Sequence, residues 1–331
     1  MKKFIFAINI VFGTILLLAY ALPFIPPGTF PVLSVLSLGF PVIVIINIAF
    51  LIYWLLSMDK RLFLSLFLFI LGLPYASRFI QFNKQTAKST NEQSINLLSY
   101  NVRLFNLYGW ENDQNTDLRM YDFIEQTDPD ILALQEFYDD PKIVIEYPFH
   151  YKKMQGSANK VGQIIYSKFP IIKAGSMDFE DTANNAIYAD LKINKDTVRI
   201  YNIHLESLRI SPNKTKVDNR LFRRLERGFS KQEDQVKEIL AHSKLTSYKT
   251  IFTGDFNNTA FSYTYQKLKS NKIDPFIEAG QGIGRSFNFP LPLRIDFSLF
   301  DENSFQIIRY KQHQALTYSD HYPIQTWFRV N

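Results

Sequence analysis

The sequence predicts a mixed α/β layered domain carried behind three membrane helices. Two features point there. Residues 4–22, 32–56 and 62–77 contain no charged side chain, whereas the chain after residue 94 breaks into short apolar runs separated by turn residues. Helical periods fall between those short runs without strict alternation. That pattern suits stacked layers of sheet and helix better than a doubly wound sheet.

The first two apolar runs are long enough to cross a bilayer, which takes about 20 residues. The third reaches residue 80 if Arg78 turns its long side chain toward the interface. A cleaved signal peptide is the rival reading of the first run, given Met1-Lys2-Lys3. Residues 23–31 lack a small-x-small cleavage pattern, however, and two further apolar runs follow. The expected organisation is membrane helices at about 4–22, 32–56 and 62–80, a polar linker at 81–94 (QFNKQTAKSTNEQS), and one folded domain at 95–331.

Charge separates the two parts. Seven of the 37 Lys and Arg residues precede residue 91, against one of the 31 Asp and Glu, so residues 91–331 carry 30 of each. The net charge of +6 therefore belongs to the membrane flanks and is no argument for nucleic-acid binding. Lys2 and Lys3 precede the first helix, residues 23–31 hold no Lys or Arg, and Lys60 and Arg61 occupy the next loop. Positive charge marks the cytoplasmic side, so a multi-pass cell-membrane protein with its folded domain outside the cytoplasm is expected. Arg78, Lys84 and Lys88 pull the other way, and a third run that failed to cross would put the domain inside. The absence of cysteine excludes disulfides, thiolate catalysis and zinc–thiolate sites.

Within the folded domain, strands are expected at 95–100, 131–134, 162–166, 186–193, 197–203, 250–253, 295–300 and 324–329. Helices are expected at 117–126, 229–242 and 259–269. Several strands end in polar residues of one chemical kind: Asn101 in LLSYNVR, Glu136 in ILALQE, His204 in RIYNIHLES, and Asp255 with Asn257 in TIFTGDFNN. Asp296 lies in the apolar run LRIDFSLF, and Asp320-His321 stand in SDHYP ahead of the last expected strand. Strand ends gather on one rim of a sheet, where sites are usually built. Asn101 alone could cap a turn, Glu136 could be a solvated strand end, and Asp255 to Asn257 could be an Asx turn. Asp296 is harder to dismiss, because a carboxylate among Leu293, Ile295, Phe297 and Leu299 needs a partner. A histidine is a natural one.

In this order, SYNVR, LQE, NIHLES, GDFN, RIDF and SDHYP resemble the motifs of the endonuclease/exonuclease/phosphatase superfamily, the fold of pancreatic deoxyribonuclease. The resemblance spans residues 95–326. It implies a two-sheet β-sandwich flanked by helices in four layers, with the site at one edge. It also implies that Asn101 and Glu136 hold a divalent metal with Asp320 in or near its shell. His321 would be the general base oriented by Asp296, and Asp255 would position the attacking water. Asn257 and His204 would hydrogen-bond the phosphate oxygens. Few carboxylates and an amide suit magnesium, with manganese as the alternative. An aspartate on one ring nitrogen fixes the histidine tautomer, so the other nitrogen can accept a proton.

Arg103 stands where the abasic-site endonucleases resemble one another in having an acid. Asn-x-Arg looks more like the secreted deoxyribonuclease branch, with Arg103 against substrate. The expected function is a membrane-anchored phosphoester hydrolase, most of all a nuclease-like phosphodiesterase. A phospholipid phosphodiesterase of the sphingomyelinase kind and a non-catalytic tethered binding protein are the alternatives. The substrate is accordingly a nucleic acid or a phospholipid, the bilayer is a partner, and no protein partner can be inferred. Arg220, Arg223, Arg224, Arg227 and Lys231 would share a basic face if helical, and Tyr108 and Trp110 could stack on a base or meet a lipid interface.

Overall fold

The computed structural model describes residues 1–83, 94–141, 143–156, 160–210 and 219–331. The apolar runs become α1 (Lys2–Ala21), a 3₁₀ turn at Leu22–Phe24, a short α2 (Pro31–Ser34), α3 (Leu36–Leu56) and α4 (Leu62–Phe79). Three of these helical spans are long and apolar enough to cross a membrane. Buried polar groups tie them together: Trp54 Nε1 donates to Asn9 Oδ1 at 2.8 Å, and Asn9 Nδ2 to Ser65 Oγ at 3.3 Å. At the end away from the folded domain, Lys2 and Arg61 flank Asp59 at 3.4 and 3.1 Å.

The chain continues through β1 (Ile80–Phe82), β2 (Ile95–Asn101), α5 (Thr116–Thr127), β3 (Ile131–Tyr138), β4 (Phe149–Gln155), β5 (Val161–Ser167), β6 (Ile171–Ser176), β7 (Asn185–Ile193) and β8 (Asp196–His204). It ends through α6 (Asn219–Ser243), β9 (Lys249–Asp255), α7 (Tyr263–Lys269), β10 (Lys272–Ile273), α8 (Pro275–Ala279), β11 (Gln281–Ile283), β12 (Asp296–Asp301), β13 (Phe305–Gln312) and β14 (Ile324–Val330). One six-stranded sheet runs β13-β14-β2-β3-β5-β4 and the other β10-β12-β9-β8-β7-β6. Among the described pairs only β2/β3 and β8/β9 are parallel, and α5 and α6 make those two crossovers.

Branched and aromatic side chains fill the space between the sheets: Leu97, Ile131 and Ile165 of one meet Ile187, Val198, Ile251 and Phe300 of the other. Met120 and Ile124 of α5 cover the outer face of the first sheet, and Val236, Ile239, Tyr265 and Leu268 of α6 and α7 cover the second. The result is the four-layer α/β/β/α sandwich, preceded by three apolar helices.

The expected polar linker starts as structure. Ile80–Phe82 pairs antiparallel with Gln281–Ile283, so Gln81 and Phe82 belong to a strand, while residues 84–93 lie outside the described residues. Helix α6 begins ten residues before its expected start and runs through Gly228, because that glycine receives Leu208; a Cβ there would come within 2.8 Å of Leu208 Cδ2. Helix α7 starts four residues late, because the Ser262 side chain accepts the Tyr265 N–H as its N-cap.

The apolar helices and the sandwich share a packed boundary. Phe40 stacks on Phe261 with ring centroids 3.8 Å apart. Arg78 donates to the Ala260 carbonyl at 3.0 Å and to Gln266 Oε1 at 2.8 Å, and the Gly28 N–H meets Glu233 Oε2 at 2.7 Å. Arg294 makes a buried pair with Asp274 at 2.8 Å and reaches the half-buried Arg78 carbonyl at 3.3 Å.

Candidate active site

The ends of β2, β3, β8 and β9 and the start of β12 meet at one edge of the sandwich. Asn101 Nδ2 donates to Glu136 Oε1 at 3.3 Å and to Asp255 Oδ2 at 3.1 Å. Glu136 sits in a register shift between Leu134 and Phe137 with φ 47°, a bulge that turns its carboxylate into the site. His204 Nε2 lies 3.6 Å from Asp255 Oδ2 and 3.8 Å from Glu136 Oε1, is buried, and has no hydrogen-bond partner among the described residues. Gly254, ahead of Asp255, has φ 131°, and a Cβ would stand 2.0 Å from the Ile203 carbonyl oxygen. Only glycine lets β9 bring Asp255 this close to β8.

His321 Nδ1 donates to Asp296 between its two oxygens, at 3.1 and 3.0 Å, and His321 Nε2 faces Asp255 Oδ2 at 3.6 Å. Ser319, part of SDHYP but given no weight in the sequence, fixes this turn. Its hydroxyl donates to the Asn101 carbonyl at 2.9 Å and accepts the His321 N–H at 3.1 Å. Ser286 likewise accepts the Ile295 and Asp296 N–H groups, both at 2.9 Å.

Burial opposes charge on His321, but the Asp296 and Asp255 carboxylates outweigh it and hold its pKa well above the ordinary histidine range. Burial raises Asp255 to about 6 against the opposing pull of the His321 ring. Burial also raises Glu136 and keeps His204 neutral by lowering its pKa.

The sequence profile of the endonuclease/exonuclease/phosphatase family matches residues 98–321. The chain belongs to this family. Residues 2–79 match the profile of a domain of unknown function. No curated protein matches. Among solved structures, the endonuclease/exonuclease/phosphatase from Bacteroides vulgatus is similar at 17% identity and TM-score 0.54, covering 72% of this chain and all of that one. A mannosyl-6-phosphatase of Bacteroides thetaiotaomicron is similar at 17% identity and TM-score 0.52, over 71% and 100% of the two chains. The human Nocturnin catalytic domain with bound sulfate is similar at 14% and 0.53, over 72% and 95%.

Members of the family include nucleases, phosphatases and phosphodiesterases, so its hydrolase fold supports phosphoester hydrolysis in general. Family enzymes generally use divalent metals, and the donors here fit one. The Asn101 amide touches both the Glu136 and the Asp255 carboxylates, so an amide and two carboxylates gather at one point. Asp255, Asp296 and His321 also offer ligand atoms within 4.8 Å of one another, although Asp296 is engaged by the His321 hydrogen bond. Asp320 sits at the rim, where Arg103 Nε holds it at 3.3 Å. Arg103 also meets Glu111 at 3.5 Å and lies over the Trp110 ring at 4.6 Å, so its charge is shared among local partners. Asn257 Nδ2 donates to the Leu205 carbonyl at 2.9 Å and to Asp255 Oδ2 at 3.2 Å; in this arrangement the amide braces Asp255.

Proposed function

We propose that the protein is a membrane-anchored, divalent-metal-dependent phosphoester hydrolase that cleaves phosphodiesters presented at the membrane surface. The observation that carries the membrane side of this reading is the position of the site loop. Asn258, next to Asn257, stands 3.3 Å from the Ser37 hydroxyl at the start of α3, so the catalytic edge borders the apolar helices. A substrate embedded in the bilayer would meet the site without leaving the surface.

A magnesium ion, or manganese in its place, bound by Asn101 and Glu136 would neutralise charge building on a non-bridging phosphate oxygen and the leaving oxygen. Asp255 orients the attacking water, braced by Asn257. His321, oriented by Asp296, takes its proton at Nε2 in its neutral form, which its raised pKa places at higher pH. His204 Nε2, neutral and unpartnered, donates to a phosphate oxygen as charge builds there. Asp320 and Arg103 close the rim.

A nuclease is the second reading. It rests on exposed Tyr108 and Trp110, whose rings lie 5.2 Å apart beside Arg103, a surface on which a base can stack. The partners of Arg103 weaken its claim to a nucleic-acid phosphate.

Full-length protein in nanodiscs, assayed with magnesium against phospholipid, DNA and RNA, separates the readings. Phospholipid cleavage that disappears in His321→Ala supports the membrane reading, and cleavage of DNA or RNA alone overturns it in favour of the nuclease. For sidedness, a reporter active only outside the cytoplasm and fused after Asn331 should be active. An expressed but silent fusion would place the domain inside.

A further inference from the structure

Beside the exit of β8, α6 turns a row of arginines onto a cleft of about 450 Å³. Six cationic side chains line it against two carboxylates, Asp181 and Glu206. Among the described residues, Arg209, Arg223, Arg224 and Arg227 make no ion pair and donate no side-chain hydrogen bond. Guanidinium groups lining one cleft repel one another, and an anion between them reverses that cost.

Position narrows the anion. Leu225 and Phe229 of α6, with Leu221, pack against Val35 and Leu38 at the start of α3. At helical spacing Arg223 and Arg227 fall on the opposite side of α6 and Arg224 on its flank. One helix diameter, about 10 Å, therefore separates the arginine row from the first turns of an apolar helix. That is comparable to the depth of a lipid headgroup layer. The other wall follows from the catalytic strand, because Glu206 comes two residues after His204. Gln235 accepts the Glu206 N–H and Gln232 donates to its carbonyl, both at 2.8 Å, which holds that wall to α6.

We propose that this cleft is a binding site for the phosphate of an anionic phospholipid headgroup, held by Arg209, Arg223, Arg224 and Arg227 beside the catalytic edge. The choice of a lipid rests on the membrane-facing reading of the function. Guanidinium forks match phosphate oxygens two at a time. The excess of cations over carboxylates favours a headgroup ending in a phosphomonoester, which carries about 1.5 to 2 negative charges, over a diester with one. A nucleic-acid strand needs a continued cationic track, and Asp181 and Glu206 interrupt one here.

The test uses the full chain carrying His321→Ala, in neutral detergent micelles with EDTA, so that turnover plays no part and failure here leaves the hydrolase reading standing. Binding of dioctanoyl phosphatidic acid is compared with dioctanoyl phosphatidylcholine, inorganic phosphate and a short single-stranded DNA. Saturable binding of phosphatidic acid over phosphatidylcholine, weakened at least tenfold by Arg223→Gln with Arg227→Gln, is expected. These side chains are exposed, so the thermal midpoint should hold; Arg209→Gln is the second variant should it fall. Equal binding of free phosphate, or tighter arginine-dependent binding of the DNA, overturns the lipid assignment. No saturable phosphatidic acid binding, or binding indifferent to the arginines, overturns the site.

Discussion

Thr259 donates its hydroxyl to the backbone carbonyl of Ser37 at 2.9 Å, both residues buried. Ser37 lies four residues before Pro41, inside α3, and proline has no N–H to give that carbonyl its helical bond. The proline thus frees an acceptor that the site loop fills two residues after Asn257. Thr259→Val keeps the shape and removes the donor. It should cost about 1–3 kcal/mol of stability and lower kcat more than it changes KM. Thr259→Ser should restore both. Thermal unfolding and steady-state kinetics in nanodiscs measure this, and an unchanged kcat would show that the contact is packing alone.

The same boundary makes an isolated domain a poor substitute for the whole chain. Arg294 and Asp274 form a buried ion pair at 2.8 Å whose arginine also reaches α4. Arg294→Ala leaves Asp274 without its cation, and a loss of about 3–5 kcal/mol is expected. A shift in the unfolding midpoint near that of a surface substitution would contradict the assignment.

Asp296 and His321 should behave as one unit. Asp296→Asn favours the wrong ring tautomer and should reduce activity by about 10³–10⁴-fold while the fold survives. Added to His321→Ala it should cost little more. Rates that multiply in the double variant would show that the two residues act independently.

His313 carries a pH prediction. Burial lowers its pKa from 6.5 to about 4, with Nε2 2.8 Å from Gln325 Oε1. The native ring stays neutral while the unfolded one takes a proton below 6.5. The stability it contributes is therefore present above pH 6.5 and is lost as pH falls toward 4, on the order of 3 kcal/mol in all. The thermal midpoint should fall more steeply between pH 7 and pH 4.5 in the natural chain than in His313→Gln. Parallel slopes would contradict this.

Eight strands and the ordered polar strand ends were legible because each is an apolar run ending in a residue such a strand does not otherwise need. β1, β4, β6, β10, β11 and β13 were not. They are sheet-edge strands, and sequences such as FHYKKMQ and FQIIRYKQ carry the lysines and arginine that guard an edge instead of an apolar alternation. Asp296 announced itself by its apolar neighbours, and its histidine partner stands where the resemblance implied. Ser319, Ser286 and Thr259 gave no such sign. A hydroxyl that fixes a turn across the fold has no local pattern. The bracing role of Asn257 and the pairing of Asp320 with Arg103 depend equally on contacts between segments far apart in sequence.

The measurement that tests the central claim most directly is hydrolysis of bis(p-nitrophenyl) phosphate by the full-length protein in nanodiscs, with magnesium and with EDTA, beside His321→Ala. Hydrolysis that requires the metal and falls by at least a hundredfold in His321→Ala is the predicted result. Absence of hydrolysis under all conditions, or a rate unchanged by EDTA and by His321→Ala, would contradict the account.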